Sequence, residues 1–421
     1  MIAVTARDAA TVLERGDSVS KRLPLEGIRV ADLTIWIQGP LASAILADLG
    51  AEVVKIEKPG MGDFSRGTTS LFGQPNVTPS GHNLLWEAGN RNKKAVAINL
   101  YHPKGREAFY RLLEKCDVLV TNLSPQALRQ MGADEETVRQ RVPDIIYARA
   151  SGFGPRGPYA EDPCQDTAGM ARSAFMYVCA TADGEPVYPP GALSDVLSAT
   201  MLAFGVVTAL LGRERTGEAP EIVYASQMST MMWTAMFHVM LHANTGLEYA
   251  PFDRTDVANP LMNIYKCGDG KWIALGLFLS QRFWPDFCEV TGLEHLREDP
   301  RFATDEARYE NRKELISIID QAMLKRPRHE WEELFRQRGF WFSVVNRPSD
   351  LNNDPQVVAN NYIVSLADGF KAPALPFELV GMEPRRQGPP EFGQHTDQVL
   401  QEVCGYSWDD IVAMKAENAV W

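Results

Sequence analysis

Apolar positions recur along this chain in two alternating rhythms. Short continuous apolar runs are followed by stretches in which apolar residues return every three or four positions. The first rhythm marks buried strands and the second marks helices. Residues 28–33 (Ile28 to Leu33) read as a strand, and Gly39-Pro40 follows, with proline suited to a first helical turn. Leu41, Ile45, Leu46 and Leu49 lie at helical spacing, and Gly50 closes that helix. Residues 52–57, 95–98, 117–121 and 145–148 read as further strands. A helix over about 103–115 gathers Phe109, Leu112 and Leu113 on one side, and Ser124-Pro125 caps a short one. This order predicts an α/β fold built on a doubly wound, mainly parallel, Rossmann-like sheet.

The alternation ends near residue 225. Residues 225–340 are rich in Met and Trp and read as mostly helical, with one hairpin over 265–275 turning at Gly268-Asp269-Gly270. The segment 372–390 is proline-rich, and the chain closes with helices after Gly393 and after Ser407. Residues 1–25 read as a frayed arm without the apolar run of a secretory signal.

Composition narrows the function. A formal charge of -12 disfavours nucleic acid and anionic membranes as partners, although a local basic cluster can still hold an anion. The six cysteines contain no CxxC spacing, so no metal or redox motif is expected, and they read as thiols of a reducing cytoplasm. The apolar stretches 196–211 and 228–241 are shorter than the roughly 18 to 20 residues of a membrane span, so both read as core or interface helices.

Chemistry is expected where strands end. Asp32 and Glu57 fall where a dinucleotide's ribose acid would sit, but the turn Ile35-Trp36-Ile37-Gln38-Gly39-Pro40 lacks GxGxxG, which disfavours NAD. That turn precedes a helix N-terminus, a place that favours an anion. Lys55, Lys58 and residues 91–94 form a basic group that reads either as a phosphate site or as a solvated surface. Asp195, ahead of a long apolar helix, reads either as a cap or as a carboxylate kept ionised by helix-end dipoles and able to attack a thioester. Asp166 carries the same two readings.

The motifs, taken in order, resemble family III CoA-transferases, the group of formyl-CoA and carnitine-CoA transferases. The resemblance rests on LEGIRVADLT from Leu25, Gly39-Pro40, LADLGAEVVKIE from Leu46, NRNKK from Asn90, VLVTN from Val118, the Gly152–Tyr159 loop, Gly191 to Asp195, and GQHTDQVL from Gly393. It covers about residues 25–410. It implies a large domain made of residues 1–224 and a returning segment 341–421, a smaller α+β domain over 225–340, and an interlocked homodimer. A hetero-oligomer with a related chain is the alternative assembly. It implies transfer of CoA from an acyl-CoA donor to a carboxylate acceptor, with acyl-CoA as substrate and no permanently bound cofactor. By position, Asp195 matches the catalytic aspartate, and Ile37 and Gln38 match contacts to CoA and the reacting carbonyl. Lys58 matches a phosphate contact, while Ile98, Asn122, Leu123 and Met131 match the adenine and pantetheine path. Tyr101 and Gln130 stand where the family is often basic. The residues before Asn259-Pro260 lack the glycine run of formyl-CoA transferases, so a bulkier acceptor than oxalate is expected. Two other activities share the resemblance: an α-methylacyl-CoA racemase, which would use Asp166 with an upstream histidine, and a non-catalytic subunit. The chain has no histidine between His102 and His238, which removes the racemase's second base.

Overall fold

A computed structural model describes residues 22–421; residues 1–21, most of the expected arm, lie outside the described residues. Leu25, at the end of that arm, is buried and its amide bonds to the carbonyl of Leu49 at 3.0 Å. The chain forms two compact units.

The first unit runs to Met176 and adds Tyr188–Gly246 and Tyr362–Trp421. Its centre is a six-stranded sheet: β1 (Arg29–Leu33), β2 (Glu52–Glu57), β3 (Lys94–Ala97), β4 (Val118–Thr121), β5 (Ile146–Ser151) and β6 (Ile222–Ser226). All pairings are parallel, in the order β3-β2-β1-β4-β5-β6. The order reverses between β1 and β4, the point at which ligands enter open sheets of this kind. The strands are largely buried on both faces because helices cover both. Side chains alternate across each strand, so Val54 and Leu119 face one apolar core while Val53, Val118 and Val120 face the other.

The first core holds Phe109 and Leu112 of the helix Pro103–Leu113, together with Val399, Leu400 and Ile411 of the returning C-terminal helices. The second core holds Leu46 of helix α1 (Gln38–Asp48), and Leu202 and Val206 of the long helix α2 (Leu193–Thr216). At 24 residues α2 exceeds the expected 196–211 stretch, and by length and composition it could cross a membrane. Its Ala199, Leu202 and Val206 are instead buried against the sheet.

The second unit comprises Tyr177–Val187 and Leu247–Asn361. It is an α+β unit with a three-stranded antiparallel sheet of Ile264–Lys266, Trp272–Leu275 and Phe342–Val345. The first two strands form the expected hairpin, and Gly270 takes the left-handed conformation, φ +78°, that the turn requires. Trp284, Phe287, Trp331 and Phe335 fill its core.

The boundaries differ from the expected 225 and 341, falling at Leu247 and Asn361. Residues 222–226 are the sixth strand of the large sheet, and the helices Gln227–Thr234 and Met236–Thr245 stay in the same unit. A short strand followed by a Met-rich run carries no local sign of which core it joins.

Candidate active site

The turn after β1 is held from two sides. Asn122, just past β4, accepts from the Ile35 amide at 2.9 Å and donates to the Ile35 carbonyl at 2.8 Å. Asp63 accepts from the Trp36 amide at 3.1 Å, and Trp36 adopts a left-handed φ of +66°. A Cβ on Gly39 would lie 2.6 Å from Thr34 Cγ2, so only glycine lets α1 start this close to the strand. The turn therefore delivers Gln38 as the first residue of α1. Its buried amide donates to Ser198 Oγ at 2.9 Å and to the Ser151 carbonyl at 3.2 Å. Gln38 thus joins the end of β1 to the first turns of α2.

Asp195 lies in the first turn of α2, which begins after Gly191 and Ala192, both at positive φ. Ala192 supplies no side-chain cap. The cap comes from Asp166, whose Oδ1 accepts from Ser194 N at 2.7 Å, Ser194 Oγ at 2.7 Å and Asp195 N at 3.1 Å. Its Oδ2 accepts from the Tyr188 hydroxyl at 3.0 Å. Both oxygens of Asp166 are therefore engaged, Oδ1 in capping the helix and Oδ2 by Tyr188, an arrangement that matches the cap reading.

The carboxylate of Asp195 accepts from Gln227 Nε2 at 2.6 Å. Burial and the negative charge of Asp166 push its pKa up to about 7, against the lowering effect of the Gln227 bond. This corrects the expectation of a carboxylate kept ionised by helix-end dipoles. The amide of Asp195 is already spent on Asp166, and burial together with the charge of Asp166 disfavours the ionised form. Near neutral pH the group is poised between its two forms, a perturbation that marks it as a candidate functional group.

Gln227 was not legible from the sequence. It is the first residue after β6, at the carboxyl end of a strand like Gln38, but the expected boundary at 225 cut through that strand and put Gln227 in the small domain.

A cavity of about 230 Å³ opens at the carboxyl ends of β1, β2 and β3 and beside β4. Lys58, Ile98, Tyr101, Leu123 and Met131 line it, so five of the residues expected to meet CoA come together. The Lys58 ammonium sits 5.3 Å from the centre of the Tyr101 ring. Asn122 stands behind the cavity as the brace of the β1 turn. Ile37 and Gln38 point elsewhere in the turn, and Gln130 is exposed outside the lining.

The rest of the basic group is structural. Lys55 is buried and bonds Asp63 at 2.8 Å and the Thr34 carbonyl at 2.6 Å. Lys93 is buried and bonds Asp32 at 2.6 Å, while Arg91 pairs with Asp48 and Lys94 with Glu52. Each of these cations has a carboxylate partner, which leaves Lys58 as the member of the group at the cavity. Asp32 is consumed by Lys93, Ser43 and Thr34, and Glu57 by Arg66, so neither is free for a ribose.

Comparison with known proteins places these features. The model of CoA-transferase family III matches residues 25–396. Mouse succinyl-CoA:glutarate CoA-transferase is 32% identical, over 91% of this chain and 87% of its own. The (R)-2-hydroxy-4-methylpentanoate CoA-transferase of Clostridioides difficile is 31% identical, over 94% of this chain and 99% of its own. Among solved structures, Rv3272 of Mycobacterium tuberculosis superposes with a TM-score of 0.77 at 27% identity, covering 89% of this chain and 98% of its own. A CAIB/BAIF family protein of Brucella suis superposes with a TM-score of 0.80 at 23% identity, covering 91% of this chain and 100% of its own, a likeness of fold.

Proposed function

From the premise that this chain belongs to CoA-transferase family III, we propose that it moves CoA from an acyl-CoA to a free carboxylic acid through covalent intermediates on Asp195. The observation that carries this reading is the state of Asp195. It is half-buried, oriented by Gln227, without an ion-pair partner among the described residues, and its pKa is pushed up to about 7. A carboxylate held so is a better nucleophile than a solvated one.

The Asp195 carboxylate attacks the thioester carbonyl and expels CoA thiolate, giving an acyl-aspartyl anhydride. The thiolate then attacks the aspartyl carbonyl and displaces the donor acid, leaving an aspartyl-CoA thioester. The acceptor carboxylate attacks this thioester, forming a second anhydride and releasing the thiolate again. Attack of the thiolate on the acceptor's acyl carbon yields the new acyl-CoA and frees Asp195. Each step exchanges one activated acyl bond for another, so no nucleotide triphosphate is required. Gln38 donates to the oxyanion when its amide leaves Ser198 or the Ser151 carbonyl.

The nucleotide and pantetheine portions of CoA occupy the cavity beside Lys58, Tyr101, Leu123 and Met131. CoA should raise the melting temperature, by about 2.7 kcal/mol of added stability at a hundredfold excess over Kd, while ATP and NAD should act weakly. Differential scanning fluorimetry reads this, and no shift at millimolar CoA counts against the site. Lys58→Ala should weaken CoA only a few-fold, since an exposed cation contributes about 0–1 kcal/mol.

The reaction itself is tested by a screen with succinyl-CoA and acetyl-CoA as donors and glutarate, 2-hydroxy-4-methylpentanoate and oxalate among the acceptors. Mass spectrometry reads the CoA esters. Transfer to an acid larger than oxalate is expected; no transfer to any acceptor would point to a non-catalytic subunit.

The assembly proposed is a homodimer. Supporting it, Phe204, Trp233, Phe237 and Met240 are each more than half exposed on α2 and the two helices that follow β6. Large apolar side chains exposed on consecutive helices suit an interface. Light scattering should find a dimer that persists on dilution to nanomolar concentration; a stable folded monomer would remove this assembly.

A further inference from the structure

Gln227 can donate to Asp195 in only one orientation of its amide. Flipped, its Oε1 would face the carboxylate and set two acceptors against each other. The far side of the amide is therefore decisive. There Gln227 Oε1 accepts from Cys164 Sγ at 3.1 Å. The thiol's other acceptor, the Gln165 carbonyl, lies at 3.4 Å.

The backbone around this contact admits no larger residues. A Cβ on Gly152 would lie 2.0 Å from Cys164 Cβ and 2.3 Å from its Sγ. A Cβ on Gly169 would lie 2.5 Å from Gln227 Cβ and 2.9 Å from Oε1. Neither glycine has a positive φ, so backbone conformation does not demand glycine at these positions; close packing does. Gly152 clears the space for the cysteine and Gly169 for the glutamine. Burial and the nearby Asp195 push the Cys164 pKa up to about 11, so the thiol keeps its proton and remains a donor.

We propose that Cys164 is a positioning residue for Asp195: its S–H fixes the Gln227 amide with Nε2 on the attacking carboxylate. The inference rests on the reading of Asp195 as nucleophile. The charged and titratable groups around Asp195 are Asp166, Tyr188 and Cys164 itself, with Gln227 as the neutral donor.

The test uses the full chain and the fastest donor–acceptor pair of the screen, with kcat/KM measured from pH 5.5 to 9. Cys164→Ala should lower kcat/KM at pH 7 by about 2- to 10-fold, the range of one neutral hydrogen bond. The loss should shrink as pH rises. A misoriented amide stabilises the carboxylate less, so the acid limb moves to higher pH while the alkaline plateau is largely kept. Cys164→Ser, which retains a donor, should recover most of the rate. In a Gln227→Leu background, Cys164→Ala should cost nothing further, because its effect runs through that amide. Cys164→Val, of similar volume but without a donor, repeats the test if the alanine variant folds poorly. A loss independent of pH, or one that persists without Gln227, makes Cys164 a packing residue and overturns the proposal. So does an unchanged profile in Cys164→Ala. If wild type transfers nothing, or Asp195→Asn stays active, the nucleophile reading has failed instead, and the two failures are told apart by that variant.

Discussion

Asp195→Asn should lose CoA transfer by at least about 10³-fold while remaining folded and able to bind CoA, because the amide cannot form an acyl anhydride at a positioned centre. The substitution is nearly isosteric and keeps an acceptor for Gln227. Asp195→Glu should fail as well, since one more methylene displaces the attacking oxygen. In wild type, hydroxylamine added during turnover should modify the peptide containing Asp195, read by mass spectrometry. The pH dependence follows from the carboxyl's pKa of about 7. Only the ionised form attacks, so the rate should climb with pH through 7 and level off above it. Stability should run the opposite way. A carboxyl whose folded pKa lies above the ordinary 3.8 makes the folded state bind an extra proton between those values, so its ionisation destabilises the fold as pH rises through 7. The Asn variant escapes this, so its melting temperature should exceed that of wild type at pH 8 more than at pH 5. Retention of more than a tenth of wild-type transfer in Asp195→Asn would remove covalent catalysis by this residue.

The largest effect on folding is expected at Asp32. Its carboxylate is wholly buried between Lys93 at 2.6 Å and Lys55 at 3.9 Å, and it also accepts from Ser43 at 2.6 Å. Asp32→Ala leaves two buried ammonium groups and takes from Lys93 its ion-pair partner, while Lys55 keeps Asp63. The cost should be about 3–5 kcal/mol, the range for removing one partner from a buried charge pair, and urea denaturation reads it directly. Lys93→Met should cost much less. Burial pushes the Lys93 pKa down to about 8, with the charge of Lys55 adding to this against the pull of Asp32. A folded pKa below the ordinary 10.5 means that stability rises across pH 8 to 10.5, as the folded chain sheds a proton the unfolded chain still holds. Asp32 and Asp63 behave oppositely. Despite burial, their neighbouring lysines hold both pKa values below the ordinary 3.8, so their contribution is present above that value and is lost only as pH falls through the lower folded values. A similar loss for Asp32→Ala and Lys93→Met would mean that overall packing, and not charge balance, governs the site.

What the sequence determined by itself is the local order. Leu41, Ile45 and Leu49 return at helical spacing, and Val30-Ala31 and Val53-Val54 are apolar at successive positions, so helix and buried strand follow from the local pattern. Proline after Ser124 and glycine at 270 act through their own backbone geometry and needed no partner to be read. Motif order proposed Asp195 as the reacting group, and five of the residues it assigned to CoA line one cavity. Tertiary structure decided the rest, because a side chain's partner across the sheet leaves no mark on its neighbours in sequence. Lys93 and Lys94 are adjacent and chemically alike, yet one is sealed in the core on Asp32 and the other lies at a strand edge on Glu52. Asp166 and Asp195 both looked like helix-start acids, and only the approach of the Asp166 loop to the first turn of α2 made one the cap and left the carboxylate of the other to Gln227. Gln227 gained its place when 222–226 added as the sixth strand, since that pairing carries the strand's carboxyl end to Asp195. Periodicity records which face of an element is buried; which distant residue meets that face depends on how the chain closes on itself.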